Sequence, residues 1–314
     1  MTERLLIAIG GNAIHPTRRP GTVEQQIEFA EKTGRALLPI LQSDNHLIIT
    51  HGNGPVIGKI LMRQILSRDT VPPMSMDVCV AHSQGGIAYL LMQHLENALR
   101  THSNQRHVVC LLTQVEVDPQ DPAFDNPTKP VGSFYSERDA KDIAKKLGWT
   151  MKEDSGRGWR YVVPSPKPRH IVDISLIETI ASSGAVVIAG GGGGIPVVRN
   201  ADGTRHGIEA VIDKDLSSAL MAGVLGVDTL MILTAVDKVY TSFGKPQQRA
   251  LGDISIDELT SLHHSGEFAD GSMGPKVEAC INFINQGGQR AVIAHLDAAQ
   301  AALDGNAGTQ VTRQ

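Results

Sequence analysis

The chain has 314 residues, of which 41% are hydrophobic and 20% charged, and its formal net charge at pH 7 is −4. This length accommodates one large α/β domain or two lobes that share a cleft. The slightly acidic charge and the aromatic content of only 4% argue against a nucleic-acid or anionic-lipid partner, and no apolar run approaches the roughly 18 residues of a membrane span.

Short apolar runs alternate with helical patterns along the chain. RLLIAI (residues 4–9), HLIIT (46–50) and HVVCLLT (107–113) predict strands in the first part. Between them, Thr22 and Gln25 form a capping-box pattern that opens a helix, Pro55 suits the first turn of a second helix, and residues 85–99 predict a third.

The same alternation continues in the later part, where AVVIA (185–189), DTLMIL (228–233) and RAVIA (290–294) predict further strands. Near-continuous apolar strands separated by helices are typical of a parallel sheet that is covered on both faces. The predicted fold class is therefore α/β, with an open, mainly parallel sheet sandwiched by helices.

The stretch from Asp118 to about Pro168 breaks this rhythm, because it is polar and rich in proline. A structureless loop of that length is uncommon inside a compact domain. We therefore predict an inserted subdomain with a helix near Glu137–Leu147 and a strand within WRYVVP (159–164). Lids over active sites are often built in this way.

Three glycine-rich turns each follow a predicted strand: IGGNA (9–13), THGNGP (50–55) and GGGGG (190–194). In open α/β sheets, ligands bind outside the carboxyl ends of the strands, and backbone N–H groups in such turns can bind an anion. The turns predict one shared cleft that accepts a phosphate group. We interpret the five consecutive glycines as room for a bulky anion against the backbone. His51, beside the second turn, either contacts the substrate or fixes its turn by hydrogen bonding, and we favour the second role.

Familiar phosphate-binding and metal-binding motifs match the sequence poorly. The Walker pattern fails because Asn53 stands where its first glycine is required and Ile60 follows Lys59. HGNGPVIG (51–58) is close to a dinucleotide fingerprint, but the acidic residue at the expected spacing, Asp69, lies in a predicted loop. A dinucleotide oxidoreductase is therefore the weaker alternative, and the histidines show no metal-ligand spacing.

The charged residues favour phosphoryl transfer. Lys214, after a predicted strand in EAVID, and Lys276, after a Gly-Pro turn, both stand at predicted helix starts, where the helix dipole disfavours a cation. A bound anion would supply the missing negative charge. Lys129 lies inside the predicted inserted subdomain, and Asp215 follows Lys214 directly. Several cations and an acid around glycine turns suit a reaction that depends on positioning and charge stabilisation.

Taken together, these motifs resemble the carbamate kinases, which have the amino-acid-kinase fold. The most specific segments are DPAFDNPTKPVGSFYSE (121–137) and LGWTMKEDSGRGWRYVVPSPKP (147–168), because the protruding subdomain that they encode distinguishes carbamate kinases from related acid kinases. The resemblance implies a reversible, Mg²⁺-dependent reaction of ATP and carbamate to ADP and carbamoyl phosphate. It also implies a homodimer, and in many family members the direction that matters is ATP synthesis.

The resemblance further implies a division of the chain into two lobes. Residues 1–205 would form the carbamate and carbamoyl-phosphate lobe, with the protruding subdomain 118–168 inserted in it, and residues 206–314 would form the nucleotide lobe.

The resemblance also implies roles for individual residues. Lys214 and Lys276 would contact the phosphates from the nucleotide side, Asp215 would hold these two lysines in place, and Lys129 would reach carbamoyl phosphate from the protruding subdomain. The small substrate and the transferred phosphoryl group would bind to Gly10, Gly11, Asn12, Gly52 and Asn53. The nucleotide would bind to Gly190, Gly191, Gly192, Gly193, Gly194, Asp237, Tyr240 and Met273. No protein metal ligand is expected.

Three positions depart from the family pattern. Ala235 stands where an acidic residue is usual, Asp270 where proline is common, and His82 where a smaller or apolar residue is usual. Ala235 and Asp270 flank the nucleotide side, so they bear on nucleotide affinity.

Two alternatives to a carbamate kinase stay open: an acid kinase for another small carboxylate or N-carboxy compound, and a nucleotide-sensing protein without turnover. The sequence decides neither the net direction nor whether arginine or purine-derived ureido compounds supply the carbamoyl phosphate.

The cysteines and the first residues bear on the cellular compartment. Cys79, Cys110 and Cys280 are far apart in sequence, and MTERLLIAIGGN lacks the layout of a signal peptide. We expect reduced, mostly buried thiols in a cytoplasmic protein.

Overall fold

The computed structural model describes residues 2–11, 21–154, 156–268 and 273–314. The sequence-based assignments to Asn12 and Asp270 lie outside these described residues.

The first part of the chain forms the elements expected from its pattern, namely β1 (Arg4–Ile9), α1 (Val23–Leu41), β2 (His46–His51), α2 (Gly54–Ser67), α3 (Met76–Arg100) and β3 (Val108–Cys110). The middle part forms β4 (Gln114–Val117), β5 (Lys129–Tyr135), α4 (Glu137–Leu147), β6 (Met151–Glu153), β7 (Trp159–Val163) and β8 (Pro168–Ile171).

The remainder alternates helices with short strands. It begins with α5 (Ile174–Ser182), β9 (Val186–Ile188), β10 (Ile195–Arg199), β11 (Arg205–Gly207), α6 (Lys214–Val224), β12 (Thr229–Thr234) and β13 (Val239–Thr241). It ends with β14 (Arg249–Leu251), β15 (Asp253–Ser255), α7 (Ile256–His264), α8 (Gly274–Asn285), β16 (Arg290–His295), α9 (Ala299–Leu303) and β17 (Thr309–Thr312).

The central sheet has eight strands in the order β15-β17-β16-β12-β1-β2-β9-β3. From β16 to β3 all neighbouring strands pair in parallel, and β17 runs antiparallel to β16. Alternate residues of β1 enter two cores: Leu5 and Ile7 pack with residues of α1 and α3, whereas Leu6 and Ala8 pack with residues of α6 and α8. The prediction of an open, mainly parallel sheet between helical layers is confirmed.

The helix starts predicted from the capping box and from Pro55 are confirmed at α1 and α2. The Thr22 side chain accepts a hydrogen bond from the backbone N–H of Gln25, and the Gln25 side chain accepts one from the backbone of Thr22, so the capping box begins α1. Pro55 lies in the first turn of α2, where its missing N–H costs nothing.

Strands β4 and β8 belong to a second, four-stranded sheet in the order β11-β10-β4-β8. Between them the chain forms a smaller antiparallel sheet in the order β5-β7-β6, and α4 packs against it. The helix and the strand that the sequence predicts inside this insert are present. The strand predicted before Lys214 is wrong, because residues 208–213 are irregular. The backbone N–H of Val211 in that segment donates to Pro164 at the end of the insert, so it takes part in the contact between insert and body.

The insert is fixed on α2 and α3 by a hydrophobic cluster of its own. Val131 of β5 and Val163 of β7 are buried there against Ile57 of α2. Beside this cluster, Gly58 of α2 meets Gly132 of β5 so closely that a Cβ on Gly58 would lie 2.0 Å from the Gly132 Cα. Gly132 has φ +76°, a conformation that favours glycine. The close approach of insert and body therefore depends on glycine, which has no side chain, at positions 58 and 132.

We expect Gly58→Ala to lower the free energy of unfolding by about 1–3 kcal/mol, the usual cost of overpacking a close contact. Gly54→Ala is the matched control, because Gly54 lies in the same helix and its added Cβ would meet no atom within 4 Å. Denaturant unfolding of both variants measures the difference, and equal stability of the two would show that the insert does not rest on this contact.

Two smaller findings concern the thiols and the helices. All three cysteines are free, with Cys79 and Cys280 buried. Among the helices of the described residues, none combines the length and apolar character needed to cross a membrane.

Candidate active site

The first two glycine turns meet at the carboxyl ends of β1 and β2. The backbone N–H of Gly10 donates to Leu233 of β12 at 2.8 Å, and that of Gly52 donates to Ile9 of β1 at 2.9 Å. A Cβ on Gly52 would lie 2.8 Å from the backbone nitrogen of Gly11. Glycine at position 52 is therefore required by the contact between the turns themselves.

The third turn, residues 190–194, is buried against the second. A Cβ on Gly191 would lie 2.3 Å from His51 Nε2, and a Cβ on Gly192 would lie 2.3 Å from Asn53 Nδ2. Gly190, Gly192, Gly193 and Gly194 all have positive φ. The three predicted turns thus converge at one place.

This packing corrects the sequence-based reason for the five glycines. A bulky anion is not what excludes side chains there, because the protein's own atoms fill the positions that a Cβ would take. At Gly193 the obstacle is the Ile212 carbonyl oxygen at 2.4 Å, and at Gly194 it is Val115 Cγ2 at 2.2 Å. Backbone conformation and close packing together demand the glycines.

Two polar residues that sequence reasoning missed hold the third turn. Gln84 of α3 donates through Nε2 to the Gly191 carbonyl at 2.8 Å and accepts through Oε1 from the Thr113 N–H at 2.7 Å. The Thr113 hydroxyl accepts from the Gly190 N–H at 2.9 Å. Gln84 lies on the buried face of α3, among apolar residues. A buried amide needs hydrogen-bond partners, and this was the signal in the sequence that could have identified Gln84.

His51 lies fully buried beneath the turns. Its Nδ1 is 3.2 Å from the Gly52 carbonyl oxygen, which supports the interpretation that the ring fixes its turn. Burial lowers the pKa of His51 to about 4, a backbone hydrogen bond opposes this shift, and the positive charge of Lys214 adds to it. The imidazole is therefore neutral at pH 7.

A cluster of charges faces this region from α6 and α8. Lys214 is the first residue of α6, and its Nζ lies 2.5 Å from Asp215 Oδ1. Lys276 lies in the first turn of α8, and its Nζ donates to Asp215 Oδ2 at 3.1 Å. All three side chains are largely buried. One carboxylate thus joins two ammonium groups from two helices, and we call this set the lysine cluster.

The ionisation of the cluster follows from these contacts. Burial opposes the charge of Asp215, but the two neighbouring ammonium groups outweigh it and hold the pKa of that carboxyl well below its usual range. Burial also opposes the charge of Lys276, yet Asp215 and Asp213 raise its pKa above the ordinary value. Burial lowers the pKa of Lys214, and the repulsion from Lys276 adds to this.

The insert contributes a third lysine. Lys129, the first residue of β5, donates through Nζ to Asp213 Oδ2 at 2.7 Å. The other oxygen of Asp213, Oδ1, accepts from the backbone N–H groups of Asp215 and Leu216 and so caps α6. Sequence reasoning gave Asp213 no role, although an aspartate before a helix start is the usual sign of an N-cap.

The predicted nucleoside residues lie beyond the end of β12 and at the start of α8. Asp237 is exposed and accepts a hydrogen bond from the Tyr240 hydroxyl at 2.8 Å. The Tyr240 ring lies 6.0 Å from that of Phe243, whose side chain is 68% exposed and which sequence reasoning missed. Met273 directly precedes α8, three residues before Lys276.

The described residues contain no group of three or more histidine, cysteine, aspartate or glutamate side chains that could hold a metal ion. Within the lysine cluster the carboxylate of Asp215 is already occupied by two ammonium groups.

The comparison with known families agrees with this geometry. The sequence matches the Amino acid kinase family over residues 3–295. The chain belongs to the amino acid kinase family. Within the family it is similar to carbamate kinases: the carbamate kinase of Pyrococcus horikoshii is 46% identical over 314 residues, covering 99% of this chain and 100% of the relative.

Solved structures of amino acid kinases give the same result. The Giardia lamblia carbamate kinase bound to citric acid superposes with a TM-score of 0.95 at 39% identity, covering 99% of this chain and 98% of the other. The same enzyme bound to AMP-PNP gives a TM-score of 0.89 at 40% identity, with the same two coverages. The fold and the family inferred from the sequence motifs are both confirmed.

The buried histidine generates a pH prediction. The pKa of His51 is about 4 in the folded chain and about 6.5 in an unfolded one. The unfolded chain therefore binds more protons in this window, so stability falls as the pH is lowered from about 6.5 to 4, by at most about 3 kcal/mol.

We expect His51→Gln to flatten the dependence of the unfolding free energy on pH within that window. His264→Gln is the matched control, because His264 is exposed at the end of α7, and it should behave like the wild type. Denaturant unfolding at a series of pH values measures both. An acid slope in His51→Gln equal to that of the wild type would contradict the buried, neutral ring.

Proposed function

We propose that the protein catalyses the reversible transfer of a phosphoryl group between ATP and carbamate, giving ADP and carbamoyl phosphate. The observation that supports this most strongly is the lysine cluster of Lys214, Asp215 and Lys276, with Lys129 close by. Phosphoryl transfer requires little covalent chemistry from the protein, so fixed cations and amide groups around the transferred group account for most of the catalysis.

In this proposal the glycine turns bind the small substrate. Carbamate offers few atoms for recognition. Because the N–H groups of Gly10 and Gly52 already donate within the fold, the N–H groups of Gly11 and Asn53 would bind the oxygens of carbamate and of the phosphoryl group, with Gly10 and Gly52 lining the same turns. Asn12 is assigned to the same task on the sequence pattern. Side chains are largely absent from the turns because the turns touch one another.

Lys214 and Lys276 would neutralise the charge that develops on the transferred group, while Asp215 holds both ammonium groups in position. A fixed cation stabilises the transition state more than a mobile one does, because it needs no reorganisation when the reaction occurs. Lys129 would approach the carbamoyl phosphate from the insert. An insert that closes over the substrate also excludes water, which would otherwise hydrolyse the acyl phosphate.

The nucleotide would lie mainly on residues 206–314, and the small substrate mainly on residues 1–205 with the insert 118–168. The β12 side of the site offers Asp237, Tyr240 and Met273 for the nucleoside. The turn Gly190 to Gly194 would border the nucleotide phosphates. The solved structure of the Giardia enzyme with AMP-PNP supports the use of an adenine nucleotide.

Mg²⁺ would enter with the nucleotide phosphates. The nearby carboxylates fit this better than a resident metal site, because Asp215 pairs with two lysines and Asp213 with Lys129 and the start of α6. When bound, the ion neutralises phosphate charge. The residues of this chain then hold and orient the groups that react.

We also propose a cytoplasmic homodimer that runs the reaction toward ATP synthesis. The support for the dimer is an exposed stripe on α3 that contains Val78, His82 and Tyr89, together with the exposed Leu112 just after β3. An exposed stripe of this kind is a candidate contact surface on a monomer. Sedimentation velocity would test the dimer, since a monomer of 33.6 kDa at micromolar concentration would contradict it.

A coupled assay of ATP formation from carbamoyl phosphate and MgADP tests the function. We expect the wild type to be active and both Lys214→Ala and Lys276→Ala to lower turnover by more than about 100-fold, the scale of losing one fixed electrostatic donor. Lys141→Ala is the control, because Lys141 is an exposed lysine of the insert that pairs with Glu137.

Two results would contradict the proposal. A wild type that forms ATP from another acyl phosphate but not from carbamoyl phosphate would indicate a different small acid as substrate. Full activity in both lysine variants would contradict the assignment of the site.

A further inference from the structure

Asp213 is attached to the start of α6 through one of its two carboxylate oxygens. Its Oδ1 accepts hydrogen bonds from the backbone N–H groups of Asp215 at 2.9 Å and Leu216 at 3.3 Å. These donors belong to the helix that carries Lys214 and Asp215. The carboxylate is therefore oriented by the same element that orients the lysine cluster.

The other oxygen, Oδ2, contacts the insert. Lys129 donates to it at 2.7 Å, and both side chains are only 19% exposed. A second ion pair between insert and body, Lys167 with Glu278, has a lysine that is 75% exposed. Exposed pairs contribute little, whereas a shielded, charge-assisted hydrogen bond is stronger and better defined in geometry.

The geometry leaves Lys129 able to hold a substrate as well. An ammonium group has three N–H donors, and Asp213 uses one of them. The remaining donors can bind phosphate oxygens without breaking the ion pair. Without Asp213, the ammonium group of Lys129 would approach Lys214 and Lys276 with one negative charge fewer to offset their repulsion.

We propose that Asp213 is a positioning residue for carbamoyl phosphate, whose fixed carboxylate holds the Lys129 ammonium group of the insert beside the lysine cluster. This inference rests on the proposed function for its substrate. The two oxygens of one carboxylate then have different roles. Oδ1 caps the helix that carries Lys214 and Asp215, and Oδ2 accepts the hydrogen bond from Lys129 of the insert.

Two substitutions separate these tasks. Asparagine and serine cap helices about as well as aspartate, but neither can form the ion pair with Lys129. In Asp213→Asn and Asp213→Ser we expect KM for carbamoyl phosphate to rise about tenfold or more, with KM for ADP nearly unchanged, since only the interaction with the small substrate is lost. The unfolding free energy should fall by no more than the loss of this one ion pair, because both replacements keep the helix cap.

A double-mutant cycle shows whether Asp213 acts through Lys129. In a Lys129→Gln background, Asp213→Asn should have little further effect on KM, because the two changes remove one interaction. Additive losses would overturn the proposal. So would an unchanged or lower KM in the single variant, since a lower value would mean that Asp213 competes with the substrate.

A readout without catalysis keeps the two proposals distinguishable. An amine-reactive reagent, followed by peptide mass spectrometry, should label Lys129 several-fold faster in Asp213→Asn than in the wild type, with Lys141 as the exposed internal control. An unchanged labelling rate of Lys129 would overturn the inference. A wild type without carbamoyl-phosphate activity would instead overturn the proposed function, while the labelling still reports on the Lys129–Asp213 contact.

Discussion

One buried carboxylate is the constraint on which the site depends. Asp215 lies between Lys214 and Lys276, which come from the starts of two different helices. Two ammonium groups in a shielded place repel each other, and each would lose its charge more readily or turn outward without a shared counter-ion. Because α6 and α8 both cover the same face of the sheet, this pairing also fixes their first turns relative to β1 and β2.

The fold brings backbone donors to the same place by a different means. The strands β12, β1, β2 and β9 are neighbours in the sheet, and the turns that follow β1, β2 and β9 pack directly on one another. The glycines satisfy this packing, since His51, Asn53 and the Ile212 carbonyl stand where side chains would begin. A site of rigid amide turns on one side and paired lysines on the other suits a small anionic substrate, and an insert that brings Lys129 completes it.

Much of this could be predicted from the sequence, because strand periodicity, the capping box at Thr22 and Pro55 are local signals. The meeting of the glycine turns followed from a general rule about strand ends. Sequence reasoning failed where contacts are distant in the chain. The apolar residues of EAVID suggested a strand, but this segment is irregular. The backbone N–H of Val211 donates instead to the carbonyl oxygen of Pro164 in the insert. Local spacing does not reveal the contacts of Gln84 with Gly191 or of Asp213 with Lys129, because these partners are distant in the chain. The role of the five glycines likewise depends on neighbours from other segments.

The most direct test of the shared counter-ion is an NMR titration of the Lys276 side chain, through its ¹³Cε shift, in the wild type and in Asp215→Asn. Asparagine keeps the shape of the side chain and removes its charge. In the wild type the pKa of Lys276 should lie above its ordinary value of 10.5, and it should fall clearly in the variant, because burial then acts without the main opposing charge. An identical pKa in both proteins would contradict the central role of Asp215.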